Sequence, residues 1–276
     1  MSADLSETSS SPALLLVGGG KMGSALLKGW EKLGLTNITV VDPAAQPDDL
    51  KTINGLRWLD SADKIDATFK PDAVILAVKP QSMAAVLPSY AHFKNSLFLS
   101  IAAGQTLHRL STLLGNAPYA IVRAMPNLPA SIGQGISGAV ANPHVTPTQR
   151  TLADRLLHAA GDVVWLEQEA LLDPLTALSG SGPAYLFALV ETMAGAGEKL
   201  GLPPALALQL ARQTVIGSAA LLAQSPQPAA ALRQAVTSPG GTTEAALNHL
   251  LGEDGLPALM LRALRAASAR AKLLAE

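Results

Sequence analysis

Gly18-Gly19-Gly20-Lys21-Met22-Gly23 follows the apolar run Ala13-Leu14-Leu15-Leu16-Val17 and leads into Ser24-Ala25-Leu26-Leu27-Lys28. A short buried strand, a glycine turn and the amphipathic start of a helix make the first half of a βαβ unit. The glycines fit G-x-G-x-x-G, with Gly18, Gly20 and Gly23 in the three positions. In that pattern the first glycine permits a tight turn, the second lets backbone approach a pyrophosphate, and the third lets helix and strand pack closely. The helix start then offers unpaired N–H groups to the same pyrophosphate. A second strand, Ile38-Thr39-Val40-Val41, ends in Asp42. An acid that binds ribose hydroxyls is expected about there, ~20 residues on. The glycine turn and Asp42 together predict a dinucleotide site, against the plainer reading of a structural glycine turn.

Outward from this unit the chain alternates strand and helix. The first helix is expected from about Lys21 to Lys32, ending near Gly34. Ala73-Val74-Ile75-Leu76-Ala77-Val78 reads as a strand covered on both faces, and it runs into Lys79-Pro80. Its carboxyl end is where open α/β sheets bind ligands. Lys79 there would serve cofactor phosphates or cap a helix C-terminus. Leu97 to Ile101 and Tyr119 to Arg123 are the next strands, with a helix from Thr106 between them. Late strands at Gly138–Ala141 and Val163–Leu166 flank a helix from Thr148 to Ala159. Alternation to residue 167 makes a doubly wound sheet.

From Leu171 onward no segment reads as a strand. Helices are expected near 183–199, 203–223, 229–235, 243–251 and 256–275. The second has only Gln209, Arg212, Gln213, Thr214 and Ser218 as polar residues between Pro203 and Ala223. A helix apolar on nearly all sides is normally buried, here across a two-fold interface or within an intramolecular core. The expected domains are therefore a disordered tail (1–11), an α/β dinucleotide-binding domain (12–167) and an all-α domain (168–276).

The composition narrows the function. A net charge of −1 argues against nucleic acid as a partner. The absence of cysteine excludes disulfides, thiolate catalysis and cysteine-ligated metals. The histidines (His92, His108, His144, His158, His249) lack zinc-site spacing, so no metal is expected. Met1 to Ser11 is polar and Ser-rich, unlike a signal peptide. No apolar run of ~18 residues is free of a proline or polar break, so no membrane span is expected. The expectation is a cytoplasmic protein.

Two further stretches carry chemistry. Ser238-Pro239-Gly240-Gly241-Thr242-Thr243 precedes a helix, and glycines before a helix expose successive N–H groups that suit a carboxylate or phosphate. Taken alone it reads first as a capped helix start, and otherwise as a substrate cradle. Leu178-Ser179-Gly180-Ser181-Gly182-Pro183-Ala184-Tyr185 also precedes a helix and does not fit the G-x-S-x-G nucleophile elbow.

These stretches, with Ala77-Val78-Lys79-Pro80-Gln81, Arg123-Ala124-Met125-Pro126-Asn127 and Val236-Thr237, resemble the pyrroline-5-carboxylate reductase family from about residue 13 to the C-terminus. The resemblance implies a Rossmann domain followed by an interlocking, all-helical C-terminal dimerisation domain, with dimers that commonly assemble into decamers of five dimers. It implies the last step of proline biosynthesis: a cyclic imino acid reduced to L-proline by hydride from NADH or NADPH. Carried over by position, Gly18 to Gly23 (with Gly19, Lys21 and Met22), Asp42, Ala77, Val78, Lys79, Pro80 and Asn127 belong to the cofactor. Ser238, Gly240, Gly241 and Thr242 belong to the substrate carboxylate, and Thr243 hydrogen-bonds the ring nitrogen as the catalytic side chain. Many relatives carry Asn or Gln where this chain has Ala235, which removes one cofactor amide contact. Asp42 favours NADH, since members that favour NADPH tend to present small polar or basic residues there. Competing readings are a 3-hydroxyacid dehydrogenase, which would need a helix lysine that is missing before Lys199, and a non-catalytic dinucleotide-binding protein.

Overall fold

The computed structural model describes residues 11–275. The expected tail lies outside the described residues but for Ser11. Eight strands form one sheet in the order β3-β2-β1-β4-β5-β6-β7-β8. They are β1 (Leu14–Val17), β2 (Ile38–Val41), β3 (Leu56–Leu59), β4 (Ala73–Leu76), β5 (Leu97–Ser100), β6 (Ala120–Met125), β7 (Gly135–Ala141) and β8 (Gly161–Trp165). The first six run parallel, β7 is antiparallel to β6, and β8 is parallel to β7.

Successive side chains on a strand face opposite ways, so an unbroken apolar run needs cover on both faces. Leu14 and Leu16 point into one core with Ile38, Val40, Ile75 and Leu99. Leu15 and Val17 point into the other with Val74, Leu76 and Phe98. The first face is covered by α1 (Lys21–Lys32) and, beyond the short α2 (Met83–Val86) and α3 (Leu107–Leu113), by α4 (Pro147–His158). Trp30 of α1 is fully buried and donates from Nε1 to the Leu156 carbonyl of α4 at 2.9 Å. Met83, Leu87, Tyr90 and Leu110 cover the second face.

The strand β3 is not legible in the sequence. It is a half-buried edge strand, Leu-Arg-Trp-Leu, without apolar–polar alternation, paired only to β2. It carries Trp58 to the glycine turn, as described below.

After α5 (Leu172–Leu175), Thr176–Gly180 forms one π-helical turn. The helices that follow are α6 (Gly182–Lys199), α7 (Pro204–Gln224), α8 (Ala229–Ala235), α9 (Thr242–Leu250) and α10 (Leu256–Ala275). By packing, the chain divides into two units: one runs to Gly180 and resumes at Ala269, and the other is Ser181–Ser268.

One expectation for α7 needs correction, and of its two readings the intramolecular core falls away. Against the expectation of no membrane span, it is long and apolar enough to cross a membrane by length and composition alone, because its scattered polar residues do not offset its Leu, Ile and Ala. Nor is it buried within one chain. Only Ala207 and Ala211 are buried, while Leu208, Leu210, Ile216 and Leu221 are exposed, so no intramolecular core covers it. Together α6 and α7 form a mainly apolar groove of about 440 Å³ lined by Leu186, Phe187, Val190, Leu208, Val215 and Ile216, with Glu191 and Arg212.

Candidate functional site

The sheet order reverses direction at β1, whose neighbours are β2 and β4, and ligands of open α/β sheets bind beyond the carboxyl ends of strands at such a point. A cavity of about 230 Å³ lies there, lined by Val17, Gly18, Val41, Asp42, Pro43, Ala62, Val78, Ala85, Val86, Ser89 and Tyr90. Burial pushes the Tyr90 hydroxyl up to about 12, and Asp42 is the one acidic residue among those that line the cavity.

The glycine turn is built position by position. Gly18 has φ +99°, and a Cβ there would stand 2.8 Å from the Ala77 carbonyl oxygen. A Cβ on Gly23 would collide with the Gly18 carbonyl oxygen, so the helix can start this close to the strand only without one. Gly20 is different. It is exposed, has ordinary φ −66° and ψ −169°, and a Cβ there would meet nothing within 4 Å. The space in front of Gly20 is open, and α1 begins at Lys21 with no side chain capping it. The first N–H groups of a helix lack intrahelical partners, so the turn fits a pyrophosphate.

Asp42 reaches back to this turn. Its Oδ2 accepts from the Gly19 N–H at 2.6 Å and its Oδ1 from the Ala44 N–H at 2.8 Å. Each carboxylate oxygen keeps a second lone pair that a ribose hydroxyl can fill. Gly19 therefore differs from its expected use: its N–H is held by Asp42, and the Trp58 ring lies where a Gly19 side chain would go.

Of the other expected cofactor residues, Val78 lines the cavity and the Ala77 carbonyl lies against Gly18. Met22 packs on the core, and Lys21 is exposed. Lys79 and Pro80 open a short 3-10 helix outside the cavity lining, so Lys79 caps no helix C-terminus there. Asn127 is spoken for structurally: its Oδ1 accepts from the Ile136 N–H at 3.0 Å, and its Nδ2 donates to the Ser179 carbonyl at 3.2 Å. It thus ties β7 to the π-helical turn. Nearby, buried Arg123 donates to Glu169 Oε1 at 2.8 Å, and the same oxygen accepts from the Leu107 N–H that starts α3.

In the helical unit, Ser238 to Thr243 forms a tight turn into α9. The Gly241 N–H donates to the Ser238 carbonyl at 3.0 Å, and Gly240 has φ +70°, which favours glycine. Gly241 is the N-cap and has no side-chain capping bond, so the N–H groups of Thr242 and Thr243 face outward at a helix start. Among the described residues neither the Ser238 nor the Thr243 hydroxyl has a hydrogen-bond partner. Glu244, unremarked in the sequence, folds back so that its Oε2 accepts from the Gly240 N–H at 2.8 Å. One donor of the expected cradle is thus held by the chain's own carboxylate, and the remaining donors belong to Thr242, Thr243 and Ser238.

A doubly wound sheet with a G-x-G-x-x-G turn, followed by a helical unit in which α9 starts with free N–H groups, is the build of a two-domain, Rossmann-type dinucleotide-binding protein. Residues 169–274 match the family model described as pyrroline-5-carboxylate reductase dimerisation, and residues 13–104 match that of NADP oxidoreductase, coenzyme F420-dependent. The pyrroline-5-carboxylate reductase of Pseudomonas aeruginosa is 42% identical over 97% of this chain and 98% of its own length. A solved pyrroline-5-carboxylate reductase from Coxiella burnetii is 35% identical, covers 97% of this chain and 100% of its own, and has a TM-score of 0.88. The Plasmodium falciparum enzyme, solved with NADP bound, is 28% identical over 96% of this chain and 98% of its own, with a TM-score of 0.80. The chain belongs to the pyrroline-5-carboxylate reductase family.

Proposed function

We propose that this protein is a cytoplasmic homodimer that reduces 1-pyrroline-5-carboxylate to L-proline with NADH in preference to NADPH. The observation that carries the reading is the start of α9, where the hydroxyls of Ser238 and Thr243 have no partner among the described residues and no side chain caps the helix, in a chain whose glycine turn fits a pyrophosphate. Family membership selects the imino acid over a 3-hydroxyacid and argues against a non-catalytic dinucleotide binder.

Each group has a role. The dinucleotide, when bound, supplies the hydride. The glycine turn and the start of α1 hold its pyrophosphate, and Asp42 accepts hydrogen bonds from the ribose hydroxyls. Apposing Asp42 to a 2′-phosphate would cost several kcal/mol, and no Lys or Arg lines the cavity to offset it. Lys79, free of any ion pair among the described residues, would serve the cofactor's phosphates, and Asn127 would act through the backbone it holds. Ser238 and the N–H groups of Thr242 and Thr243 hold the substrate carboxylate, while Gly240 and Gly241 let it approach the backbone. The Thr243 hydroxyl bonds the ring nitrogen, which ends the reaction carrying a proton. Its ordinary acidity is too weak for Thr243 to be the proton donor itself; its contribution is orientation.

The exposed apolar face of α6 and α7 is the dimer surface, with functional domains 12–167 and 168–276. An obligate interface buries more than ~2,000 Å². Five such dimers form the proposed decamer. The experiment is NADH oxidation with pyrroline-5-carboxylate against NAD reduction with a 3-hydroxyacid. Activity only with the second pair, or with neither, overturns the reading.

A further inference from the structure

Trp58 lies against the glycine turn, and it touches both backbone segments that Asp42 bonds. Its ring lies against Gly19, where any side chain on that residue would collide with it. Its Nε1 donates to the Ala44 carbonyl at 3.0 Å. Asp42 closes the same loop from the other side, accepting from the Gly19 N–H at 2.6 Å and from the Ala44 N–H at 2.8 Å. Ala44 is thus gripped through both its N–H and its C=O, and Gly19 through its N–H and its open face. The backbone delivers Trp58 to this place: β3 pairs with β2 in parallel register, Trp58 opposite Val40, two residues before Asp42.

We propose that Trp58 is a positioning residue for the dinucleotide: it fixes the Asp42 carboxylate between Gly19 and Ala44 and thereby sets the strength of ribose recognition and the discrimination against a 2′-phosphate. A short carboxylate on a loop has freedom about two side-chain torsions and the loop backbone. Anchoring both of its backbone partners removes most of that freedom before the ribose arrives, and preorganisation of this kind appears as affinity. The half-buried indole suits the task, because its flat face covers a glycine while its N–H secures a carbonyl. The proposal rests on Asp42 being the ribose acceptor.

The test uses calorimetric titration of the full-length protein with NADH and with NADPH, in Trp58→Phe, Trp58→Leu, Asp42→Ser and the two doubles. Trp58→Phe loses the bond to Ala44 and keeps only part of the cover of Gly19, because the nearest indole atoms, Cη2, Cζ2 and Cζ3, lie beyond the reach of a phenyl ring, so NADH should bind at least about fivefold more weakly, the equivalent of one neutral hydrogen bond. Trp58→Leu loses both contacts, and the loss should reach roughly 10- to 30-fold, with NADPH affected less and the ratio of the two affinities narrowed. KM for NADH should rise in step while kcat at saturating NADH stays within about twofold, which a general loss of structure would not give. In the Asp42→Ser background, Trp58→Leu should cost less than about twofold, because Trp58 acts through Asp42. Unchanged NADH affinity in Trp58→Leu overturns the proposal, and so does an equal loss with and without Asp42. If Trp58→Leu does not fold, Trp58→Phe alone and in the Asp42→Ser background decides by the same criteria. Failure of the underlying reading is distinct: Asp42→Ser alone would then leave both affinities unchanged, and the proposal falls with it.

Discussion

Replacing Gly20 and Gly23 one at a time by alanine should separate a glycine kept for the ligand from one kept for the fold. Gly20 has φ −66° and ψ −169°, and a Cβ there meets nothing within 4 Å. Alanine then removes unfolded-state freedom, which stabilises by ~0.4–1 kcal/mol, but it is a poorer N-cap by a similar amount. The two nearly cancel, so the melting temperature should stay within about 4 °C of the unmodified protein. The added methyl occupies the space where a pyrophosphate oxygen must come. Losing one backbone bond to a charged oxygen costs about 1.5–3 kcal/mol, a roughly 10- to 100-fold weaker Kd for NADH. At Gly23 the balance reverses. Its Cβ would collide with the Gly18 carbonyl oxygen, which is backbone and cannot rotate away. Overpacking of that kind costs ~3 kcal/mol, or about 6–12 °C in a chain of this size. Differential scanning calorimetry and titration with NADH read the two quantities independently. Wild-type NADH affinity in Gly20→Ala would refute the argument that this turn cradles the pyrophosphate.

The same geometry sets four other outcomes. Asp42→Ser should narrow or reverse the ratio of kcat/KM between NADH and NADPH, and steady-state kinetics with both cofactors will read it. Thr243→Ala should lower kcat/KM for pyrroline-5-carboxylate about 10- to 100-fold, one hydrogen bond of 1–3 kcal/mol, with NADH affinity unchanged and Thr243→Ser recovering most of the loss. Glu169→Ala should destabilise by about 3 kcal/mol in urea unfolding, because it strands buried Arg123 and frees the Leu107 N–H. Leu208→Asp, at the apolar α6–α7 groove, should shift the protein from dimer to monomer in light scattering at micromolar concentration.

Much of this was legible because several residues each satisfied more than one rule. The run from Ala13 to Gly23 had to be strand, turn and helix, and Asp42 had to follow a second strand. Helices α1, α8 and α10 begin and end where apolar spacing, glycine and proline put them. Other features had no local signal. The edge strand β3 has no alternation to reveal it, so Trp58 was invisible as a neighbour of Gly19. The cavity wall draws Ala62, Ala85, Val86, Ser89 and Tyr90 from segments that carry no motif. Asn127 stood out by its motif, but its bonds to Ile136 and Ser179 depend on how β7 and the π-helical turn pack. Glu244 carries no mark in the sequence, because its fold-back to Gly240 depends on the turn geometry before α9.

The central claim is that hydride passes from a dinucleotide held by the Gly18–Gly23 turn to a cyclic imine held by Ser238–Thr243. Turnover of pyrroline-5-carboxylate with NADH deuterated at both C4 positions, followed by mass spectrometry and NMR of the product, tests it most directly. The account predicts L-proline carrying one deuterium, at C5. Proline without deuterium, or NADH oxidised with no proline formed, would contradict it.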